Sequence, residues 1–317
     1  MATAGAGLFM SIAGSHNAYS LVLSNGTTWG IGPCEGADFD VVAWVNDLVA
    51  YLGLEVRAEE PACSIRFGRA RDDGGHFCDS YPSFVSRSSA ELPIDGWKVW
   101  GRAGAVLMSH PALADVFCGL YSYRAPVIEQ MRHALIPILE ETITSGGVPI
   151  HGALVEREGI GALLLGRSGA GKSTSCGRLP PPWRVHGDDM ALGMRNAAGQ
   201  FMGHPLPTWS AVESGNIRWP CRAGRAVSVR GLFLLEKSSA DSVEPLEKAM
   251  AALLIEKAAR EALKPFLLLH RRDGAVLRRR IFENAVALAA TVPAFRLRVS
   301  LDGCFWRKIE EALGAGG

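Results

Sequence analysis

Eight consecutive residues, Gly166-Arg167-Ser168-Gly169-Ala170-Gly171-Lys172-Ser173, satisfy the phosphate-loop pattern GxxxxGK[ST]. Each residue type in it has a physical job. Glycines let successive backbone N–H groups converge on phosphate oxygens, and the start of a following helix adds a favourable dipole. Lys172 supplies a positive point charge and Ser173 offers a hydroxyl to a magnesium ion. The pattern is informative only between a strand and a helix. Here residues 162–165 (ALLL) read as a continuous buried strand, and the helix that follows must stop by Leu179, because Pro180-Pro181-Pro182 cannot continue it. The bland alternative is a glycine-rich turn with a surface lysine, but turn chemistry alone demands neither Lys172 nor Ser173.

Val185-His186-Gly187-Asp188-Asp189 comes soon after Lys172, and no NKxD-type guanine motif occurs anywhere in the chain. Two adjacent carboxylates facing a phosphate loop can divide the labour. One holds Mg²⁺, directly or through water, and the other orients or deprotonates an attacking hydroxyl. That division suits a kinase, whereas an Asp-Asp turn that merely caps a loop is the structural alternative.

The elements that must position these residues follow from pattern. Residues 123–317 read as an α/β domain. A long amphipathic helix spans 127–144, with a kink expected at Pro137, and ends at Gly146-Gly147. A strand HGALV follows, with a turn at 156–159. Further strands are expected at 230–236 and 295–299, and helices at 245–262, 279–290 and 305–313. Residues 1–122 read as a small α+β domain. In it the runs 19–23 and 28–31 flank Asn25-Gly26 as a hairpin, and 38–54 is a helix capped by Asp38 or Asp40. The stretch 69–89 is polar and glycine-rich and reads as an exposed loop. An edge of the hairpin could add an extended peptide as a further strand, and the alternative is a domain that covers the core or mediates dimerisation.

Composition bounds the partners. With 33 Lys+Arg against 32 Asp+Glu the formal charge is +1, so the electrostatic excess expected of a nucleic-acid or anionic-membrane binder is missing. The 48% hydrophobic and 21% charged residues describe a globular chain. The opening MATAGAGLFMSIAG lacks a basic flank, and no stretch approaches the roughly 20 apolar residues of a membrane span, so a cytoplasmic location is expected. The 7 cysteines, at 34, 63, 78, 118, 176, 221 and 304, form no CxxC pair and read as reduced thiols.

The run HGALVEREGIGALLLGRSGAGKST, followed by RVHGDDM, resembles the catalytic core of HPr kinase/phosphorylase and its relatives with the PEP carboxykinase-like fold. More narrowly, GGVPIHGALVE, GHPLPTWS, VRGLFLLEKSSADSVEPL and VPAFRLRVSLDGCFW are similar to the HPr-kinase-related proteins of peptide-modification clusters, among them the SynChlorMet cassette proteins ScmC and, further off, lasso-peptide kinases. The resemblance covers roughly residue 146 onwards. It implies an HPr-kinase-type phosphate-loop core in which residues 166–174, through Thr174, bind the nucleotide phosphates. It also implies a catalytic cluster of His151, Asp188 and Asp189, with Asp188 as base on the acceptor hydroxyl and Asp189, with Ser173, on the metal side. His151 either tunes the carboxylate, contacts phosphate or is structural. Arg230 occupies an arginine-glycine strand start like that of HPr kinases and is the candidate for stabilising the transferring phosphoryl group, from a set that includes Arg218, Arg222 and Arg225. Arg167 departs from the acidic or small polar residue of true HPr kinases, so phosphorolysis is not implied.

The expected cofactors are ATP and Mg²⁺, and the expected partner is a precursor peptide or small protein whose Ser or Thr hydroxyl is phosphorylated. Nucleic acid and membrane are not expected, and a homo-oligomer stays open. Two other readings share the loop: a nucleotide-binding accessory protein of a modification complex, and a small-molecule kinase acting on a substrate such as free serine. Residues 204–210 either line the active-site mouth or form an ordinary packed loop. The arginine runs 271–272 and 278–280 either receive an acidic peptide or phosphate or form a charged helix face.

Overall fold

The computed structural model of the chain describes residues 19–56, 60–70, 96–102, 104–121, 127–264 and 274–314. Most of the polar stretch 69–89 and the pair Arg271-Arg272 lie outside the described residues. The protein is a mixed α/β protein with two sheets. Among the described residues it divides into two compact units, one of residues 19–22, 28–50 and 54–137, the other of residues 23–27, 51–53 and 138–314.

The first unit holds strands Tyr19–Val22 (β1), Thr28–Pro33 (β2), Glu55–Val56 (β3), Cys63–Arg69 (β4), Lys98–Arg102 (β5), Ala105–Ser109 (β6) and Asp115–Leu120 (β7). They form one sheet in the order β3-β1-β2-β4-β7-β6-β5. β1 and β2 pair antiparallel as the Asn-Gly turn leads one to expect, and Gly26 takes the φ of +90° that the turn needs. β2 and β4 are parallel, which requires a crossover, and helix Phe39–Leu52 (α1) provides it. Of the two aspartates proposed to cap this helix, Asp38 does so: its Oδ1 accepts from the Val41 N–H at 2.9 Å. The hairpin is not a free edge throughout, because β3 pairs with Tyr19 and Ser20.

The expected helix 127–144 is two helices, Val127–Ala134 (α2) and Ile136–Thr144 (α3), divided just before Pro137. The break is also where the two units divide. Proline lacks the N–H that would bond back into the preceding turn, and its ring crowds that turn's carbonyl.

The second unit is built on strands Val148–Arg157 (β8), Ile160–Leu165 (β9), Arg184–Gly187 (β10), Met190–Arg195 (β11), Phe201–Leu206 (β12), Val227–Lys237 (β13), Ser242–Pro245 (β14) and Ala294–Val299 (β15). The order is β10-β8-β11-β12-β13-β15-β14, and β9 pairs with both β8 and β13, closing a circuit of β8, β11, β12, β13 and β9. β9, β13 and β15 run parallel, so their C-terminal ends lie together. Ala162, Leu163 and Leu164 are all buried, the continuous apolar run of a central strand covered on both faces. Helices Lys172–Arg178 (α4), Trp209–Glu213 (α5), Lys248–Ala262 (α6), Gly274–Thr291 (α7) and Phe305–Leu313 (α8) complete it. Ala153, Leu164, Phe233 and Leu297 from the sheet pack with Phe305 and Ile309 of α8 in one apolar cluster. On α7, Arg279 pairs with Glu283 at 2.8 Å, the behaviour of a charged helix face.

A buried polar group lies within this core. His186 Nε2 is 2.7 Å from Glu156 Oε2, and Arg225 Nη2 reaches the same oxygen at 3.1 Å. Burial, with the Arg225 and Arg184 charges adding to it, lowers the His186 pKa against the pull of Glu156. His204, whose Nδ1 lies 3.0 Å from the Ala223 carbonyl oxygen, is likewise lowered by burial. Burial pushes the Glu156 carboxyl up, but the His186 hydrogen bond and the Arg225 charge outweigh it, leaving Glu156 below the ordinary range. Both histidines are therefore stored neutral. The unfolded chain takes up protons as pH falls through the ordinary histidine range, whereas the native state resists, so stability is full above that range and declines below it. Thermal melts between pH 8 and pH 5.5 should show a falling Tm on acidification. A flat or rising profile would contradict neutral burial.

Candidate active site

The phosphate loop leaves the C-terminal end of β9 and enters α4 at Lys172. Gly169 and Gly171 take φ of +77° and +101°, a backbone conformation that side chains disfavour, and a Cβ at either would project into open space. The loop's glycines thus leave a cradle of bare backbone. Lys172 is only 7% exposed. Its Nζ donates to the Gly166 carbonyl at 2.9 Å and lies 3.2 Å from His151 Nε2.

Strand register brings His151 here. β8 pairs antiparallel with β9, placing Gly152 opposite Leu165, and β11 pairs with β8, placing Met190 opposite His151. Asp188 and Asp189 occupy the short connection between β10 and β11, and the Asp189 carbonyl accepts from the Gly152 N–H at 3.0 Å. His151 Nδ1 lies 3.3 Å from Asp189 Oδ1. An ammonium can only donate, so a Lys172 hydrogen bond to His151 Nε2 leaves Nδ1 as the ring nitrogen that faces Asp189. Lys172, His151 and Asp189 thus stand in one connected polar row. Burial depresses the Lys172 pKa, against the pull of Asp189, Glu261 and Asp188, so its charge is held in a poorly screened place.

Asp188 is 7% exposed and accepts a 2.6 Å hydrogen bond on Oδ1 from the Thr208 hydroxyl. No other hydrogen bond ties it among the described residues. Cys176, one turn into α4, is buried, and burial pushes its thiol up to about 12.

These groups line one cleft of about 860 Å³. His151, Ser168, Gly169, Ala170, Gly171, Lys172, Ser173, Thr174, Asp188 and Asp189 all border it. Gly166 meets it only through its bond to Lys172, and Arg167 is exposed and does not line it. Arg230 is not brought to the site. It is the exposed residue at the irregularity between Val229 and Gly231, whereas Leu234 is the residue level with Leu165 at the phosphate loop. Four residues of strand, roughly 13 Å, separate them. Of residues 204–210, Thr208 and Ser210 line the cleft, while His204 is buried away from it.

A smaller pocket of about 220 Å³ shares Ser173, Asp188, Thr208 and Ser210 with the cleft and adds Arg218 and Trp219. Arg218 stacks over Trp219 at 4.9 Å and lies against α4, where a Cβ on Gly177 would come within 2.9 Å of its guanidinium. Among the described residues it has no carboxylate partner. Arg218 belongs to the arginine set that the sequence singles out, but no local pattern distinguishes it from Arg230.

Magnesium and a nucleotide fit the residues present. Among the described residues no group of three His, Cys, Asp or Glu side chains forms a cage of its own. Asp189 and Ser173 place side-chain oxygens on the cleft wall, the donor type that magnesium would take with phosphate and water completing its shell.

The family model for SynChlorMet cassette protein ScmC matches residues 116–314, more than half of the chain and every residue of the cleft. The chain belongs to the ScmC family. No curated protein matches it. The ScmC match begins within β7, so most of the first unit lies outside it. Among the described residues no helix is long and apolar enough to cross a membrane.

Proposed function

We propose that this chain is an ATP- and Mg²⁺-dependent kinase with an HPr-kinase-related, PEP carboxykinase-like core, and that it phosphorylates a Ser or Thr hydroxyl on a ribosomally made peptide or small protein in the cytoplasm. The observation that carries the reading is Asp188, buried and fixed by Thr208 in the wall of the cleft that the phosphate loop opens. The loop amides and Lys172 hold the phosphates. Asp189 and Ser173 would hold magnesium, which would supply charge neutralisation at the phosphate oxygens. The acceptor hydroxyl enters through the smaller pocket, its oxygen forms a bond to the γ-phosphorus, the bond from that phosphorus to the β–γ bridging oxygen breaks, and ADP leaves. The hydroxyl proton passes to Asp188. His151 keeps Lys172 and Asp189 in register.

Membership of a cassette-protein family supports an acceptor encoded beside the gene. The test is incubation of the full chain with γ-labelled ATP, Mg²⁺ and the short peptides encoded nearby, with free L-serine in parallel. Label on a peptide supports the reading, and label on serine alone moves it to a small-molecule kinase. Nucleotide binding with no label on any acceptor turns it into an accessory protein.

Arg218 faces the acceptor's route, so Arg218→Ala should lower kcat/KM for the acceptor by roughly 10- to 100-fold, the worth of one charge-assisted contact, with ATP affinity unchanged. Equal losses in ATP binding and transfer would place Arg218 on the nucleotide side instead.

A further inference from the structure

The other end of the cleft, away from Asp188, is walled by Lys237 and Ser238 at the end of β13 and by Val299, Ser300 and Leu301 at the end of β15. The segment after β15 is held firmly. Asp241 Oδ1 accepts from the Ser300 N–H at 2.7 Å and from its hydroxyl at 2.9 Å, and Ser300 Oγ accepts from the Gly303 N–H at 3.0 Å. Arg178, the last residue of α4, donates to the Ser300 carbonyl at 2.7 Å and to the Gly303 carbonyl at 2.6 Å, with its guanidinium 5.2 Å over the Phe305 ring. Arg178 borders the cleft, but both of its Nη groups donate to the loop, and the helix that begins at Lys172 thereby fixes the loop's position. On this rigid turn Leu301 is 84% exposed. A lone exposed leucine is ordinary. One carried on a clamped loop in the wall of a cleft is a preformed apolar surface.

Strand order gives the cleft a polarity. β8, β9, β13 and β15 are successive neighbours, and the phosphate loop leaves β9. The Asp188-Asp189 connection lies on the β8 side of β9, and Leu301 lies on its other side, two strands from β9 at the end of β15, about 10 Å at the ordinary strand spacing. A triphosphate whose terminal phosphate meets Asp188 must run its other end toward β15. Inorganic polyphosphate has nothing to set against an apolar side chain, whereas a nucleoside triphosphate brings a flat, largely apolar base.

We infer that residues 299–301 form a nucleobase platform, with Leu301 packing against the base, and that the phosphate donor is a nucleoside triphosphate and not an inorganic polyphosphate. The inference rests on the phosphate-loop reading above. Leu301→Ser changes an exposed side chain and leaves the loop's clamps intact. Calorimetric titration of the full chain with Mg²⁺-ATP and, separately, with Mg²⁺-tripolyphosphate tests it. Wild type should bind ATP the more tightly, and Leu301→Ser should weaken ATP by about five- to tenfold, the effect of part of a leucine's burial, while tripolyphosphate affinity stays the same. Equal wild-type affinities for the two, or an unchanged ATP affinity in the variant, would overturn the platform and leave the phosphate loop standing. Failure of wild type to bind either ligand would overturn both.

Discussion

Asp188→Asn should bind Mg²⁺-ATP like the wild type and lose roughly 10²- to 10⁴-fold in the rate of phosphoryl transfer, the usual contribution of a positioned general base. The substitution suits the site. Asparagine keeps the carbonyl oxygen that accepts from Thr208, so the 2.6 Å bond that orients the side chain survives, and only the ability to take a proton is removed. Asp189→Asn should behave differently. Its carboxylate faces His151 and the metal side, so the variant should need more Mg²⁺ for half-maximal rate. Single-turnover transfer to the identified acceptor, run across a magnesium series, separates the two. Full activity in Asp188→Asn would remove it as the base and revive the accessory-protein reading.

Lys172→Met should weaken Mg²⁺-ATP binding by roughly 10- to 100-fold, the value of one or two charge-assisted contacts in a poorly screened site. Methionine is preferred to alanine because Lys172 is buried, and its apolar stem contributes packing that a truncation would also remove. The variant should melt no lower than the wild type, because the lost bonds to Gly166 and His151 are offset by removal of a desolvated charge whose pKa is already depressed. Calorimetric titration beside a thermal melt makes the distinction. Unchanged affinity in a folded variant would end the phosphate-loop assignment.

The proposed acceptor pocket and the proposed nucleobase platform share Asp188's cleft and make a joint prediction. Under the proposed kinase reading, donor and acceptor would approach Asp188 from opposite sides, with the acceptor passing Arg218 and the donor extending toward Leu301, because Arg218 lines the smaller pocket and Leu301 lines the cleft. Loss of affinity at Leu301 with acceptor kinetics intact, and the converse at Arg218, is the pattern that this arrangement requires.

Local chemistry was legible from residues alone. The phosphate loop, the buried strand before it and the stop before Pro180 are encoded within a few residues of one another, and the helix runs Lys172–Arg178. The terminal helix is Phe305–Leu313, since its apolar spacing is clear. The hairpin at Asn25-Gly26 needed only a turn type. The strands β11 and β12 carry no such signal. Gly193, Gly203 and Pro205 interrupt their patterns, and pairing with β8 and β13 decides their conformation. The start of α6 at Lys248, later than residue 245, has the same cause, because Ser242–Pro245 pairs with β15.

The site itself divides in the same way. Sequence alone determined where the glycine-rich loop and its Lys172 and Ser173 stand between a strand and a helix, because glycines of positive φ, a lysine and a hydroxyl act through their own backbone neighbourhood. Only the tertiary structure decided the rest. It chose Thr208 as the partner of Asp188, it set His151 between Lys172 and Asp189, and it brought Arg218 and not Arg230 to the pocket. It also carried Leu301 to the same cleft as Lys172, 129 residues earlier in the chain. The physical reason is register. A residue's place along a strand says nothing of which end of the sheet it faces until its pairing is set, and the cleft gathers the C-terminal ends of β9, β13 and β15, which pairing alone brings level.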